Sequence, residues 1–140
     1  MAKQDNVVIV GAARTPMGGF NGSLSSVSAT DLGAIAIKEA VSRAGIDAAD
    51  VEEVIMGNVL PAGLKQGPAR QAMRKAGLAD ATGATTINKL CGSGMKATMF
   101  AHDAIKAGSV NIAVSGGMES MSNAPYILEG VRTGLRMGAG

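Results

Sequence analysis

Short apolar runs rich in β-branched residues alternate with helix-forming segments along most of this chain of 140 residues. The runs are bounded by glycine, by proline or by residues that cap helices, so each is more consistent with a strand than with part of a long helix. Strands and helices that alternate at these lengths are typical of βαβ units, which usually form a parallel sheet through right-handed crossovers. The pattern predicts an α/β fold with helices on both faces of a mainly parallel sheet.

Four strands and three helices are predicted from this pattern. The strands are expected at residues 6–10 (NVVIV), 51–60 (VEEVIMGNVL), 85–88 (TTIN) and 111–117 (NIAVSGG). The helices are expected from a cap at Ser28 or Thr30 to Gly45, from Pro68 to Gly77, and over residues 92–107. Because the first run has no polar face, we predict that it is a central strand buried on both sides.

The composition limits the class of partner. The chain is 46% apolar and 17% charged, and its net charge of +2 comes from scattered Lys and Arg residues, which argues against a nucleic-acid partner. Its length is that of one compact domain. The apolar runs are too short to span a bilayer, and the amino terminus lacks an extended apolar region. We therefore expect a cytoplasmic protein without a membrane anchor.

The only cysteine, Cys91, follows the third predicted strand and precedes the third predicted helix. In open α/β sheets, ligands bind at the carboxyl ends of the strands, where helix N-termini present unpaired N–H groups. A helix N-terminus also favours the thiolate, which is the nucleophilic form of cysteine. Gly92 and Gly94 predict the close approach of a backbone or a ligand, because glycine within a helix is destabilising. Cys91 is therefore a candidate catalytic nucleophile.

Two other interpretations of this stretch stay open on position alone. Free cysteine is among the most buried residue types, which would make Cys91 an inert core thiol. The spacing Gly92-x-Gly94-x-x-Ala97 also matches the Ala-ended dinucleotide fingerprint, but that fingerprint needs an acidic residue at the end of the next strand. Here Glu119 comes only after two glycines, so NAD binding is the weaker alternative. No cluster of His, Cys and Asp predicts a metal site.

Four stretches taken together resemble the amino-terminal half of thiolases, the acetyl-CoA acetyltransferase family. They are VVIVGAARTPMGGFNGSL (7–24), GNVLPAGLKQGPARQA (57–72), INKLCGSGMKA (87–97) and SGGMESMSNAPY (115–126). The resemblance covers nearly the whole chain and implies that Cys91 carries an acyl group as a thioester. It also implies that Asn88 belongs to the turn that presents Cys91. Asn88, Gly92 and Met118 are weaker candidates for substrate binding.

The family resemblance also implies a domain plan and an activity. Residues 1–118 would form a core domain with strand order 3-2-1-4 and a fifth strand missing, and residues 119–140 would begin a loop domain that binds CoA. The implied activity is reversible condensation of two acetyl-CoA to acetoacetyl-CoA, or thiolysis of a 3-ketoacyl-CoA. The CoA thioester is the substrate, no separate cofactor is implied, and a homo-oligomer (dimer or tetramer) is expected. A ketoacyl synthase-like condensing enzyme and a non-catalytic module are the alternatives.

The chain departs from the family pattern in what it lacks. A thiolase needs a histidine that activates the nucleophile and a second cysteine that acts as acid and base, and both belong to its carboxyl-terminal half. The single histidine here, His102, is separated from Cys91 by roughly 16 Å along a helix that rises 1.5 Å per residue. We therefore expect an incomplete chain that is inactive by itself.

Several other residues are expected to have structural roles. Arg14 and Arg70 are predicted to tie loops to backbone carbonyls rather than to bind CoA phosphates. Met95, Met99 and Met118 are predicted to fill the core. Glu119 is predicted to be a turn residue only.

Overall fold

The computed structural model describes residues 6–134 and confirms the α/β class. Three parallel strands alternate with three α-helices along the chain. They are α1 (Ala29–Ala44), β1 (Glu53–Gly57), α2 (Pro68–Lys75), β2 (Gly83–Ile87), α3 (Ser93–Lys106) and β3 (Ala113–Gly117). In this described part of the chain, every helix is too short or too polar to cross a membrane.

Capping signals in the sequence mark both ends of α1 and the start of α2. Ser28 caps α1 by accepting a hydrogen bond from the Asp31 N–H at 3.1 Å, and Gly45 ends this helix in the left-handed conformation with φ of 68°. Pro68 occupies the first position of α2, where its missing N–H has no helical partner to lose. The predicted helices are thereby confirmed.

The central strand of the sheet is β1, which pairs in parallel with β2 on one side and with β3 on the other. Val54 and Met56 of β1 belong to the apolar cluster that includes α1 and α2. Ile55 belongs to a second cluster with Ala97 and Ala101 of α3. Because successive side chains of a strand point to opposite faces, helices cover both faces of the sheet, as predicted.

The predicted central strand at residues 6–10 is absent. Val8, Ile9 and Val10 are 71%, 81% and 62% exposed, and residues 6–10 are not part of any of the strands that the structure describes. β1 pairs directly with β3 along its whole length, so no place for another strand exists between them. The predicted order 3-2-1-4 is therefore wrong. An apolar β-branched run favours extended backbone, but it does not specify the strand with which it pairs.

Residues 7–13 instead lie along α1, across a groove from the outer edge of β3. The groove has a volume of about 500 Å³, and α1 and α3 form parts of its wall. At Gly11 the segment packs so closely on α1 that a Cβ there would lie 2.5 Å from the Ala40 carbonyl oxygen. The Arg43 guanidinium donates a hydrogen bond to the Ala12 carbonyl oxygen at 3.0 Å. Gly11 and Ala12 thus attach this segment to α1.

The chain after β3 runs through two short 3₁₀ turns, at Met121–Asn123 and Val131–Thr133. Between these turns, Tyr126 and Leu128 are exposed. This stretch lies within residues 119–140, the range expected for the loop domain. Residues 135–140 of that range lie outside the described residues, as do residues 1–5 of the expected core domain. The boundary between the two domains stays a prediction.

Candidate active site

Cys91 lies in the turn between β2 and α3, next to Gly92, the N-cap of α3. Its side chain is exposed, so the interpretation of Cys91 as a buried inert thiol is wrong. The preceding residue, Leu90, has a φ of 49°. Residues with side chains rarely adopt this left-handed conformation, which concentrates at functional sites. The fold therefore presents the thiol on a strained turn at the start of a helix.

Backbone and side-chain hydrogen bonds close this turn. The Gly92 N–H donates to the Lys89 carbonyl oxygen at 3.1 Å, and the Ser93 N–H donates to the Leu90 carbonyl oxygen at 3.0 Å. The Ser93 hydroxyl accepts a hydrogen bond from the Lys89 N–H at 2.8 Å and donates one to the Leu90 carbonyl oxygen at 2.6 Å. Both residues that directly precede Cys91 are therefore bonded to the start of α3.

Asn88 lies at the beginning of the same turn. Its side-chain oxygen accepts a hydrogen bond from the Leu90 N–H at 2.9 Å. Its side-chain NH₂ donates to the Val59 carbonyl oxygen at 3.3 Å. Asn88 thus connects the Cys91 turn to the loop that follows β1.

Glu119 holds this same loop from the other side, a contact that sequence reasoning missed. Its carboxylate accepts hydrogen bonds from the Asn58 side chain at 2.8 Å, from the Val59 N–H at 2.8 Å and from the Leu60 N–H at 3.1 Å. Asn58 is buried, and it also donates to the Met118 carbonyl oxygen at 3.1 Å. Hydrogen bonds to a charged acceptor are strong, so the prediction of a turn residue only is wrong for Glu119.

Gly94 lies against the backbone of Gly116 and Gly117, as its predicted close approach requires, but the tightest approach in this region is at Gly57, the last residue of β1. A Cβ at Gly92 would lie 3.4 Å from its nearest neighbouring atom, and one at Gly94 would lie 3.6 Å away, both ordinary contacts. A Cβ at Gly57 would lie only 2.5 Å from the Cβ of Ser93. Gly57 is therefore the glycine that permits the close approach of β1 and α3.

The methionines differ in their surroundings. Met118 is 6% exposed and packs against Gly33 of α1, which confirms a place in the core. Met95 and Met99 are 69% and 48% exposed, so the prediction that they fill the core is wrong.

The guanidinium of Arg70 donates to two backbone carbonyl oxygens, at 2.7 and 3.0 Å, which confirms its structural role.

His102 lies in the second half of α3 and lines the groove beside β3, whereas Cys91 does not line that groove. The Nδ1 atom of His102 is 3.1 Å from a carboxylate oxygen of Asp103. Over residues 6–134, no group of three or more His, Cys, Asp and Glu side chains is placed to hold a metal ion. The site therefore consists of an exposed thiol at a helix N-terminus, a geometry suited to nucleophilic attack on a carbonyl carbon.

Comparisons with known proteins agree with this arrangement. The family model described as "Thiolase, N-terminal domain" matches residues 7–140. The sequence is 57% identical to the acetyl-CoA acetyltransferase of Escherichia coli over 136 residues, which are 96% of this chain and 34% of the relative. It is also 57% identical to the acetyl-CoA acetyltransferase of Cupriavidus necator over 133 residues, which are 95% of this chain and 34% of that relative.

A solved structure has the same fold. The Acat5 thiolase from Ascaris suum, in complex with coenzyme A, matches with a TM-score of 0.85 and 45% sequence identity. The match covers 87% of this chain and 32% of that one. The chain spans about a third of the length of the relatives that it matches. With a family model that matches nearly its whole length, this chain belongs to the thiolase family, in the part that forms the N-terminal domain.

Proposed function

We propose that this chain carries the acyl-accepting cysteine of a thiolase-type acyltransferase that uses acetyl-CoA. The observation that carries the proposal is the exposed Cys91 on a strained turn at the start of α3, in a chain of this family. The names of the two bacterial relatives support acetyl-CoA as the acyl donor. The Ascaris suum thiolase, which binds coenzyme A, supports a CoA thioester as the substrate class. The same names favour a thiolase over a ketoacyl synthase.

In the proposed reaction, the Cys91 thiolate attacks the thioester carbonyl carbon of acetyl-CoA. A bond forms between the Cys91 sulfur and that carbon, the bond from the carbon to the CoA sulfur breaks, and the CoA thiolate takes up a proton as it leaves. A second acetyl-CoA then loses a proton from its C2 carbon to a general base, and the resulting carbanion attacks the carbonyl carbon of the acyl-enzyme. The bond from that carbon to the Cys91 sulfur breaks, which forms acetoacetyl-CoA and releases the Cys91 thiolate. Thiolysis is the reverse. The covalent intermediate divides one difficult step into two easier ones.

The helix start supplies a group for the charge that develops on the carbonyl oxygen. We assign this role to the backbone N–H of Cys91, because N–H groups at a helix N-terminus stabilise negative charge. Asn88, through its bond to the Leu90 N–H, is proposed to hold the turn. We also propose a cytoplasmic location and assembly into a homo-oligomer.

The test of the nucleophile is acetylation of Cys91. The chain is incubated with radiolabelled acetyl-CoA, and the label on Cys91 is identified by its release with hydroxylamine and by peptide mass spectrometry. We expect the folded chain to become acetylated faster than the same chain in urea, and the Cys91→Ser variant to remain unlabelled. Equal rates in the folded and unfolded chain would contradict the proposal.

Full turnover is a separate question for the 140-residue chain. It contains one histidine and one cysteine, and His102 is not in the Cys91 turn. Each missing proton-transfer partner typically accounts for roughly 10²- to 10⁴-fold in rate. We therefore expect no measurable thiolysis of acetoacetyl-CoA by this chain alone, and normal thiolase turnover would show that a residue within it supplies the missing acid and base.

A further inference from the structure

We infer that Ser93 is a positioning residue for Cys91, an inference that rests on the proposed role of Cys91 as the nucleophile. Ser93 is the first residue of α3 and is 4% exposed. Its hydroxyl accepts from the Lys89 N–H at 2.8 Å and donates to the Leu90 carbonyl oxygen at 2.6 Å. One buried hydroxyl therefore bonds to both residues that directly precede the thiol.

This arrangement is distinct from an ordinary helix cap. The N-cap of α3 is Gly92, and no side chain caps this end of the helix. The Ser93 hydroxyl instead points back into the turn and acts as donor and acceptor at once. Among side chains of this size, only a hydroxyl is both a strong donor and a strong acceptor. An alanine at this position would leave the Lys89 N–H without its acceptor.

The Ser93 hydroxyl bonds to Leu90, the residue with the left-handed backbone conformation. Leu90 is held at a φ of 49°. Both its N–H and its carbonyl oxygen form hydrogen bonds. Asn88 accepts from the Leu90 N–H at 2.9 Å, and Ser93 donates to the Leu90 carbonyl oxygen. Such conformations persist only when surrounding contacts determine them. Without the Ser93 hydroxyl, the Lys89 N–H loses its acceptor and the Leu90 carbonyl oxygen keeps only the bond from the Ser93 N–H at 3.0 Å. The turn is therefore expected to relax and to move the Cys91 thiol away from the helix N-terminus.

Ser93 also packs against Gly57 at the end of β1. A Cβ at Gly57 would lie 2.5 Å from the Ser93 Cβ, so the serine side chain packs directly on the central strand. The position of Cys91 is thereby tied to the core of the sheet through Ser93, although Cys91 itself is exposed.

The test compares Ser93→Ala with Thr82→Val in the 140-residue chain. Thr82 is also buried, and its hydroxyl donates to the Val51 carbonyl oxygen at 2.8 Å, so both variants lose one buried hydroxyl. The readout is the rate of Cys91 alkylation by iodoacetamide at neutral pH, with urea unfolding measured in parallel. We expect Ser93→Ala to slow alkylation about two- to fivefold, the range of a helix-terminal effect on a charge. Thr82→Val is expected to lower stability without slowing alkylation.

A third variant and a measurement on the unmodified chain complete the design. Ser93→Thr keeps the hydroxyl, and if urea unfolding shows that its extra methyl group is accommodated beside Gly57, its alkylation rate is expected to match that of the unmodified chain. An unchanged rate in Ser93→Ala, or an equal loss in Thr82→Val, would overturn the inference. If Ser93→Ala does not fold, hydrogen exchange of the Lys89 amide is measured in the unmodified chain. Protection of this amide would support its bond to Ser93, and exchange at the rate of a free amide would refute the inference. Failure of acetylation with these results intact would refute the proposed function alone.

Discussion

A Cβ atom at Gly57 would lie 2.5 Å from the Cβ atom of Ser93, so the end of β1 and the start of α3 approach within a distance that only glycine permits. Gly57 is paired with Ile87 of β2 and with Gly117 of β3. Ser93 in turn bonds to the two residues before Cys91. This contact thus joins the centre of the sheet to the residues that hold the candidate nucleophile.

Replacement of Gly57 by alanine is expected to destabilise the fold by about 1–3 kcal/mol, because the new methyl group would overlap Ser93 and the surrounding core cannot yield without strain. Gly116→Ala is the matched control, since a Cβ there would lie 3.5 Å from the flexible side chain of Met56. Its effect should stay within about 0.5 kcal/mol. Urea unfolding followed by circular dichroism measures both values, and equal losses would mean that the approach at Gly57 is not tight.

Local signals explain which parts of this fold could be predicted from the sequence. Ser28, Gly45 and Pro68 act within one helical turn, so the ends of α1 and the start of α2 follow from neighbouring residues. Strand pairing is not local. Residues 6–10 are as apolar as β1, yet they form no strand and lead into Gly11, which packs on α1, whereas β1 pairs with β3. No residue within the run distinguishes the two outcomes.

The same distinction applies to the candidate site. The position of Cys91 between a strand and a helix was predictable, because both flanking elements have local patterns. The contacts of Ser93, Gly57 and Glu119 join segments far apart in the chain, so only the folded arrangement reveals them. A weak signal did exist: small residues both end β1 and begin α3, which is typical of elements that approach closely.

Glu119→Gln tests the carboxylate that holds the loop after β1. All three of its contacts are hydrogen-bond donors, from Asn58, Val59 and Leu60. The amide NH₂ of glutamine cannot accept them, so at least one donor loses its partner at a cost of about 1–3 kcal/mol. The exposed Glu129 provides the control, and Glu129→Gln should leave the urea midpoint unchanged. A neutral result for Glu119→Gln would show that water replaces the carboxylate.

The ion pair between α1 and α2 predicts a pH dependence of stability. The Lys75 ammonium, 2.7 Å from Asp31, and then the Ser28 hydroxyl hold the pKa of the Asp31 carboxyl below its ordinary value of 3.8. A lowered pKa in the folded state means that the carboxylate adds stability above the ordinary pKa and that this stability is lost as the pH falls through the folded-state pKa. Asp31→Asn should therefore be less stable at neutral pH and converge with the unmodified chain in acid.

The size of this effect is limited by solvent. The side chains of Lys75 and Asp31 are 42% and 49% exposed, so the difference at neutral pH should be about 0.2–1 kcal/mol. Urea midpoints measured from neutral pH down to acid provide the curve. In a Lys75→Met background, Asp31→Asn should change the urea midpoint less, because the main cause of the lowered Asp31 pKa is gone. A difference that persists unchanged below the ordinary pKa would disprove the assignment.

The outer face of α3 predicts self-association. Met95, Met99 and Phe100 are 69%, 48% and 41% exposed on this helix, and exposed apolar patches mark interaction or aggregation surfaces. In the sheet of residues 6–134, β2 and β3 are both edge strands, and unpaired edges recruit other chains. We therefore expect the 140-residue chain to form oligomers or aggregates at micromolar concentration, as measured by light scattering.

A pair of charge substitutions identifies the surface responsible. Met99→Glu places a charge on the α3 face, and Ile35→Glu places one on α1, where Ile35 is 57% exposed. Because a charge is costly to bury in an apolar contact, Met99→Glu should shift the chain toward monomer, whereas Ile35→Glu should not. Sedimentation velocity distinguishes the species. A stable monomer for the unmodified chain would refute the prediction, and an equal response to both substitutions would place the association surface elsewhere than on α3.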